Sequence, residues 1–299
     1  MSDSEANRGW LPSFVLLSAI WGASFLFIKV ADRAFAPLQV ALLRCALGAA
    51  ALLVVLVVRG DRLPRGRAAW MHLMVAGVLF NSVPFALFAF GETKVSSVVA
   101  GIWNATTPLH ALLVSLAVLP EERPTRERVA GLLVGFAGVV VVLGPWSGLG
   151  GRLVGNLACM AAAACYGLGF PYTRRYLAGR TESAVSLSAA QVMCGALQLA
   201  LIAPWLTSAP GHVPLDSVLS ILALGVAGTG LAYVLNYAVI RRAGSTIAST
   251  VTYLIPLFST VLGVVVLGER LAWNQPVGAL VVLLGVALTQ GRLTRPSSG

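Results

Sequence analysis

Charge is what this sequence has least of. Asp, Glu, Lys and Arg make up 11% of its 299 residues, where a soluble domain carries about 25%. Such a chain cannot wet a surface of its own. Lysine is nearly missing: Lys29 and Lys94 are the only two among 21 basic residues. The four cysteines, Cys45, Cys159, Cys165 and Cys194, lie in apolar runs without CxxC spacing, so they read as small packing residues. His72, His110 and His212 are too scattered for a metal centre, and neither HExxH, GxSxG nor a pair of neighbouring carboxylates occurs within the spans. A membrane-embedded enzyme is therefore the weaker alternative, and no catalytic residue, metal or cofactor is expected. The net charge of +10 sits in short clusters between apolar runs and forms no continuous basic face. No nucleic-acid partner follows from it.

What the chain does have is apolar length. Hydrophobic residues reach 58% and the mean hydropathy is +0.85. A bilayer core about 30 Å thick needs roughly 20 apolar residues in helix. Ten such runs are read at 11–31, 37–58, 69–91, 95–119, 129–146, 153–173, 184–206, 217–240, 245–267 and 274–291. The predicted class is all-α integral membrane with ten transmembrane helices. The first run lacks a small-residue cleavage site and is not read as a signal peptide. With the N-terminus inside, Arg8, Arg59, Arg62, Arg65, Arg67, Arg123, Arg126, Arg128, Arg174, Arg175, Arg180, Arg241, Arg242, Arg292 and Arg295 fall in cytoplasmic segments. Lys29, Arg33, Lys94, Arg152 and Arg270 fall outside. The imbalance, 15 against 5, places both termini in the cytoplasm of a bacterial inner (plasma) membrane protein.

The halves repeat one another, which divides the chain into 1–147 and 148–299. Thr107-Pro108 and Leu119-Pro120-Glu121 match Ile255-Pro256 and Leu267-Gly268-Glu269 at a shift of 148. Gly131 and Gly138 match Gly278 and Gly285, and Arg44 and Gly48 match Gln191 and Gly195, at 147. Trp21-Gly22 with Phe25 matches Tyr166-Gly167 with Phe170 at 145. Five helices per copy is an odd number, so the second copy is predicted to enter the membrane inverted, the arrangement that supplies two similar-energy states for alternating access.

Ile20-Trp21-Gly22 with Phe25 and Lys29, Arg44, and the prolines Pro108 and Pro256 followed by Glu121 or Glu269 and Gly131 or Gly278 together resemble the EamA-type branch of the drug/metabolite transporter superfamily. The resemblance covers nearly the whole chain. It implies ten helices in two inverted five-helix repeats and export of small metabolites, often amino acids, with exporters of aromatic amino acids as the nearest comparison. Pro120 in place of Gly268 is a departure. The alternatives are a multidrug or lipid-like amphiphile exporter, or a flippase.

Substrate-binding candidates follow from polarity inside the spans. Ser97, Gly101, Asn104, Pro108, Ala111 and Ser115 share one helix face, with Ser245, Ser249, Thr252, Pro256, Ser259 and Gly263 in the repeat. Small residues so spaced also serve close helix packing. Beside them lie Trp103, Thr107 and His110, whose counterparts in the second half are the apolar Val251, Ile255 and Phe258, so the polarity is one-sided. Thr229, Tyr233 and Asn236 line the eighth span opposite Asn81, Phe85 and Phe88, and Trp21 and Tyr166 occupy matching places. Aromatic faces with a few amides and hydroxyls suit a small amphipathic solute. Pro108 and Pro256 each remove a backbone donor mid-span and are candidate hinges or fixed bends. Arg44 lies inside the second span at a cost of roughly 2.5–3.5 kcal/mol on insertion scales. It either binds a substrate carboxylate or is structural. Glu92, Glu121 and Glu269 lie near span ends, so the chain reads either as a facilitator or exchanger driven by the substrate gradient or as one coupled to protons through His110. The expected partners are a small-molecule substrate and lipid. Gly131 and Gly135 form a GxxxG, yet a monomer is expected rather than a homodimer.

Overall fold

A computed structural model of the chain describes residues 10–118, 125–144, 146, 152–177, 179–236, 238–239 and 251–289. Among these residues every regular element is helical. In hydrocarbon each backbone N–H and C=O needs an internal partner, and a helix supplies one within the segment. The elements are α1 (Leu11–Ala31), α2 (Pro37–Val58), α3 (Arg67–Glu92), α4 (Ser97–Asn104), α5 (Thr107–Val118), α6 (Arg126–Leu143), α7 (Arg152–Tyr176), α8 (Ala184–Leu206), α9 (Leu215–Asn236), α10 (Val251–Leu267) and α11 (Asn274–Thr289). Seven described helical stretches are long and apolar enough to cross a membrane, the fourth running Ser97–Val114, and three shorter apolar helices accompany them. Ser245, Ser249, Pro120 and Glu121 lie outside the described residues, as do the basic clusters at 123, 241–242 and 292–295.

The surface is apolar where a soluble protein would be charged. Val58 is 81% exposed and Trp205 86%, with Val57, Leu201 and Val265 also bare. A ring of exposed aliphatics of this extent is a lipid-facing surface. Trp146 and Trp273 stack near helix ends, 5.5 Å between ring centroids, where amphipathic rings favour the headgroup level.

Three local features depart from uniform spans. The run read as 95–119 is broken at Ala105 and Thr106. There Thr106 N–H and Oγ1–H both turn back to the Trp103 carbonyl (3.0 and 2.7 Å). Pro108 then sits in the first turn of α5, where a missing N–H costs little. Its counterpart Pro256 instead lies inside an unbroken α10. The other two departures are π-helical segments, Val78–Ser82 within α3 and Ala223–Leu231 within α9. In each a hydroxyl donates to the carbonyl five residues back: Ser82 to Gly77 at 3.3 Å, Thr229 to Leu224 at 3.1 Å. Pro84, lacking an N–H, lies two residues past the end of the first. The irregularities occupy corresponding places in the two halves, a detail absent from the periodicity.

Packing follows the repeat with its halves exchanged. Gly48 of α2 lies against Thr229 of α9, and its counterpart Gly195 of α8 lies against Asn81 of α3. Gly22 of α1 meets Phe258 of α10, and Gly167 of α7 meets His110 of α5. Gly138 meets Gly278 and Val282, while Gly285 meets Gly131 and Gly135. The GxxxG glycines are thus used within the chain, between α6 and α11. Gly101 meets Ser259, so that part of the small-residue stripe is a helix contact.

Candidate functional site

The two exchanged crossings bring a polar cluster into the apolar interior. Arg44 of α2, 7% exposed, donates from Nε to Thr229 Oγ1 (3.1 Å) and from Nη2 to the Gly228 carbonyl (3.4 Å). Both acceptors belong to the π segment of α9. The guanidinium lies over the Phe85 ring at 3.9 Å, a cation–π contact strengthened by desolvation. Five guanidinium N–H groups are available, so among the described residues most remain uncommitted. Among the described residues Arg44 has no carboxylate partner; the ion pairs there are Arg33–Asp216 and Arg180–Glu182, both elsewhere.

At the counterpart crossing Gln191 of α8 donates from Nε2 to Asn81 Oδ1 (2.9 Å) and to the Tyr233 hydroxyl (3.4 Å). Asn81 Nδ2 also donates to Tyr233 at 3.2 Å. Tyr166 packs against the core that holds Phe85 and partly buried Tyr233, and against a second core holding Phe25, Phe88 and Trp103. Phe80 stacks on Tyr166 at 6.0 Å. Arg44, Asn81, Tyr166 and Tyr233, singled out on separate helices, are thereby gathered into one place.

Other candidates stand apart from it. Trp103 is buried and donates to Asn156 Oδ1 at 2.8 Å. His110 Nδ1 faces the carbonyl of Thr106, just ahead of its helix, at 3.0 Å, with Phe136 edge-on. A carbonyl only accepts, so that nitrogen carries the proton. Thr107 is buried with its hydroxyl unpartnered among the described residues, and Asn104 is buried at the end of α4. Trp21 packs between two cores. Asn236 lies one turn past Tyr233 and, among the described residues, shares no hydrogen bond with the cluster. An apolar groove of about 350 Å³ opens between α1, α9 and α10, lined by Ala19, Ala23, Ala227 and Phe258 among others. Among the described residues it carries no charged anchor.

One end of the bundle is tied by Glu269. Its carboxylate accepts from Ser97 N (2.8 Å), Ser97 Oγ (3.0 Å) and Val98 N (3.2 Å), capping the N-terminus of α4 from the segment after α10. Gly268, with φ +65°, makes the turn that aims it, a conformation natural to glycine. Replacing Glu269 by Ala is expected to cost about 1–2 kcal/mol, the range for a lost helix cap. A thermal unfolding midpoint in detergent equal to that of the unsubstituted protein would contradict this.

A model of the EamA-like transporter family matches residues 9–144 and again 153–290. The chain belongs to the EamA-like transporter family. The family unit thus occurs twice, as the internal matches indicated. This EamA protein is 28% identical over 275 residues to an uncharacterized transporter of Archaeoglobus fulgidus, covering 91% of this chain and 95% of the relative. It is 25% identical to protein PecM of Dickeya dadantii (91% and 89% covered) and 26% identical to the uncharacterized inner membrane transporter YedA of Escherichia coli (97% and 94%). A protein of known crystal structure shares the fold, with a TM-score of 0.67, 22% identity, and 98% and 100% of the chains covered. Residues that sequence reasoning missed in this EamA protein are Gln191, noted only as the counterpart of Arg44, and Phe80. A glutamine amide in the middle of an apolar span was the available signal.

Proposed function

We propose that this membrane transporter carries small amphipathic metabolites, with aromatic or other hydrophobic amino acids foremost, out of the cell across the bacterial inner membrane by alternating access. Its ten helices form two inverted repeats, 1–147 and 148–299, with both termini cytoplasmic. The exchanged crossings, α2 on α9 and α8 on α3, support this inversion, since a two-fold relation carries each contact into its counterpart.

One observation carries the substrate reading: a buried guanidinium with uncommitted donors and, among the described residues, no carboxylate in ion-pair contact, set among aromatic rings. An unpaired charge in hydrocarbon is costly, and a substrate carboxylate supplies the missing anion through charge-assisted, bidentate hydrogen bonds. Tyr166, Tyr233, Asn81 and Gln191 then offer ring faces and amides to the remainder of the solute. Trp21, Trp103, Asn104, Thr107, His110 and Asn236, which stand apart from this cluster, are assigned to the remainder of the substrate path. The break before Pro108 supplies one hinge and Pro256 the second.

Proteoliposomes holding the purified protein and a panel of radiolabelled amino acids test this. Saturable counterflow of at least one aromatic amino acid is expected. Flux for none of them, with movement of a fluorescent lipid or a hydrophobic cation instead, would replace this reading by amphiphile export through the apolar groove.

A further inference from the structure

At the end of the bundle tied by Glu269, a second charged group is buried without using its charge. Glu92 closes α3 with a side chain 0% exposed. Among the described residues neither of its carboxyl oxygens has a hydrogen-bond donor, and the same holds for both oxygens of Asp32, the residue after α1. A donor is close by: Lys29, in the last turn of α1. Its ammonium instead donates to the main-chain carbonyls of Glu92 and Val95, the latter at 2.8 Å. The groups facing Glu92 are Lys29 and Asp32 from α1 and its end, Arg44 from α2, Cys159 from α7 and Glu269 beyond α10. The α4 helix presents no titratable side chain.

A bare carboxylate without donors in a low-dielectric interior costs several kcal/mol, whereas a protonated carboxyl there is a neutral group of modest cost. A sodium ion is the poorer occupant, because Lys29 already occupies the two carbonyl oxygens a cation would use. In the adjoining turn burial outweighs the nearby Lys29 and holds the Asp32 carboxyl up at about 8, a second carboxyl that the fold keeps from shedding its proton.

We propose that Glu92 is the proton site of the transport cycle. In the step, the Glu92 O–H bond breaks and its proton passes to water admitted when the transporter opens at that end. The site returns to the neutral state by the reverse path. The coupling to solute rests on the transport reading above; the protonation of Glu92 does not.

The test uses the full-length protein in proteoliposomes with the amino acid that shows counterflow. One proton moved per substrate makes a one-unit pH gradient worth about a tenfold substrate ratio across the membrane at steady state. Glu92→Gln copies the shape and neutrality of the protonated carboxyl. It is expected to exchange substrate at equal pH yet hold a ratio near unity under the gradient. A tenfold ratio in Glu92→Gln would overturn the proposal. So would a unit ratio in the unsubstituted protein that nonetheless shows counterflow, or accumulation driven by sodium in place of pH. Should no amino acid be exchanged at all, infrared difference spectra of the reconstituted protein decide. A protonated-carboxyl band present in the unsubstituted protein and missing from Glu92→Gln upholds the site, and its absence from both removes it.

Discussion

Reconstituted at equal amount, Arg44→Lys protein is expected to bind a carboxylate-bearing substrate about 10–100-fold more weakly, the loss of one charge-assisted hydrogen bond or two at roughly 1.5–3 kcal/mol. The lysine keeps the positive charge but replaces a planar fork by a single ammonium, so the bidentate contact is lost. It also vacates Thr229 Oγ1 or the Gly228 carbonyl, since one nitrogen cannot replace both Nε and Nη2 in their present places. Comparing an amino acid with the amine that lacks its carboxylate separates recognition from architecture. If Arg44 holds the carboxylate, the amino acid loses affinity and the amine is nearly unchanged. Equal losses for both ligands would make Arg44 a brace between α2 and α9 and nothing more.

The second large effect is expected at the contact of α6 with α11. Gly285→Val protein should lose about 3 kcal/mol or more of stability, at or above the upper range for overpacking. A Cβ at Gly285 would overlap the Gly135 main chain and lie 2.7 Å from the Gly131 carbonyl; one at Gly138 would lie 2.6 Å from Val282 N. These opposing atoms are backbone, so no rotamer change relieves them. The helices must separate, and small-residue packing in a bilayer depends on close approach because lipid and leucine are equally apolar. Thermal unfolding in detergent, read beside recovery of monodisperse protein, checks it. As a control, Leu280→Val on the lipid-facing side of α11, 63% exposed, should change the midpoint little. Comparable midpoints for the two variants would show that α6 and α11 do not pack as described.

Much of this architecture is legible because lipid imposes a simple grammar. Apolar runs near 20 residues predict helices, and α1, α2 and α8 coincide with the runs at 11–31, 37–58 and 184–206. The EamA repeat was visible as matched residues at a nearly constant shift. The polar cluster was legible only in pieces. Arg44, Asn81, Tyr166 and Tyr233 each drew notice as polar or aromatic groups within apolar helices. Helical periodicity says which residues share a face, and nothing about which face meets them. Gln191 matters through Asn81, 110 residues away, and that pairing arises where α8 crosses α3. His110 illustrates the converse. It stands out in the sequence as a polar group within a span, and only the fold shows that its Nδ1 is turned to the carbonyl one turn back. Glu92 looked peripheral because it ends a span, yet it is wholly enclosed.

The amino-acid sequence alone determined the membrane setting, the helical class and the duplication, because each is a property of composition and spacing summed over whole segments. Only the tertiary structure decided where α4 gives way to α5, where α3 and α9 widen into π turns, and which carboxyl is sealed from water. Those outcomes depend on neighbours remote in the chain: a hydroxyl, a missing proline N–H or a crossing glycine alters the local energy by a kcal/mol or so, below what a run of twenty apolar residues records.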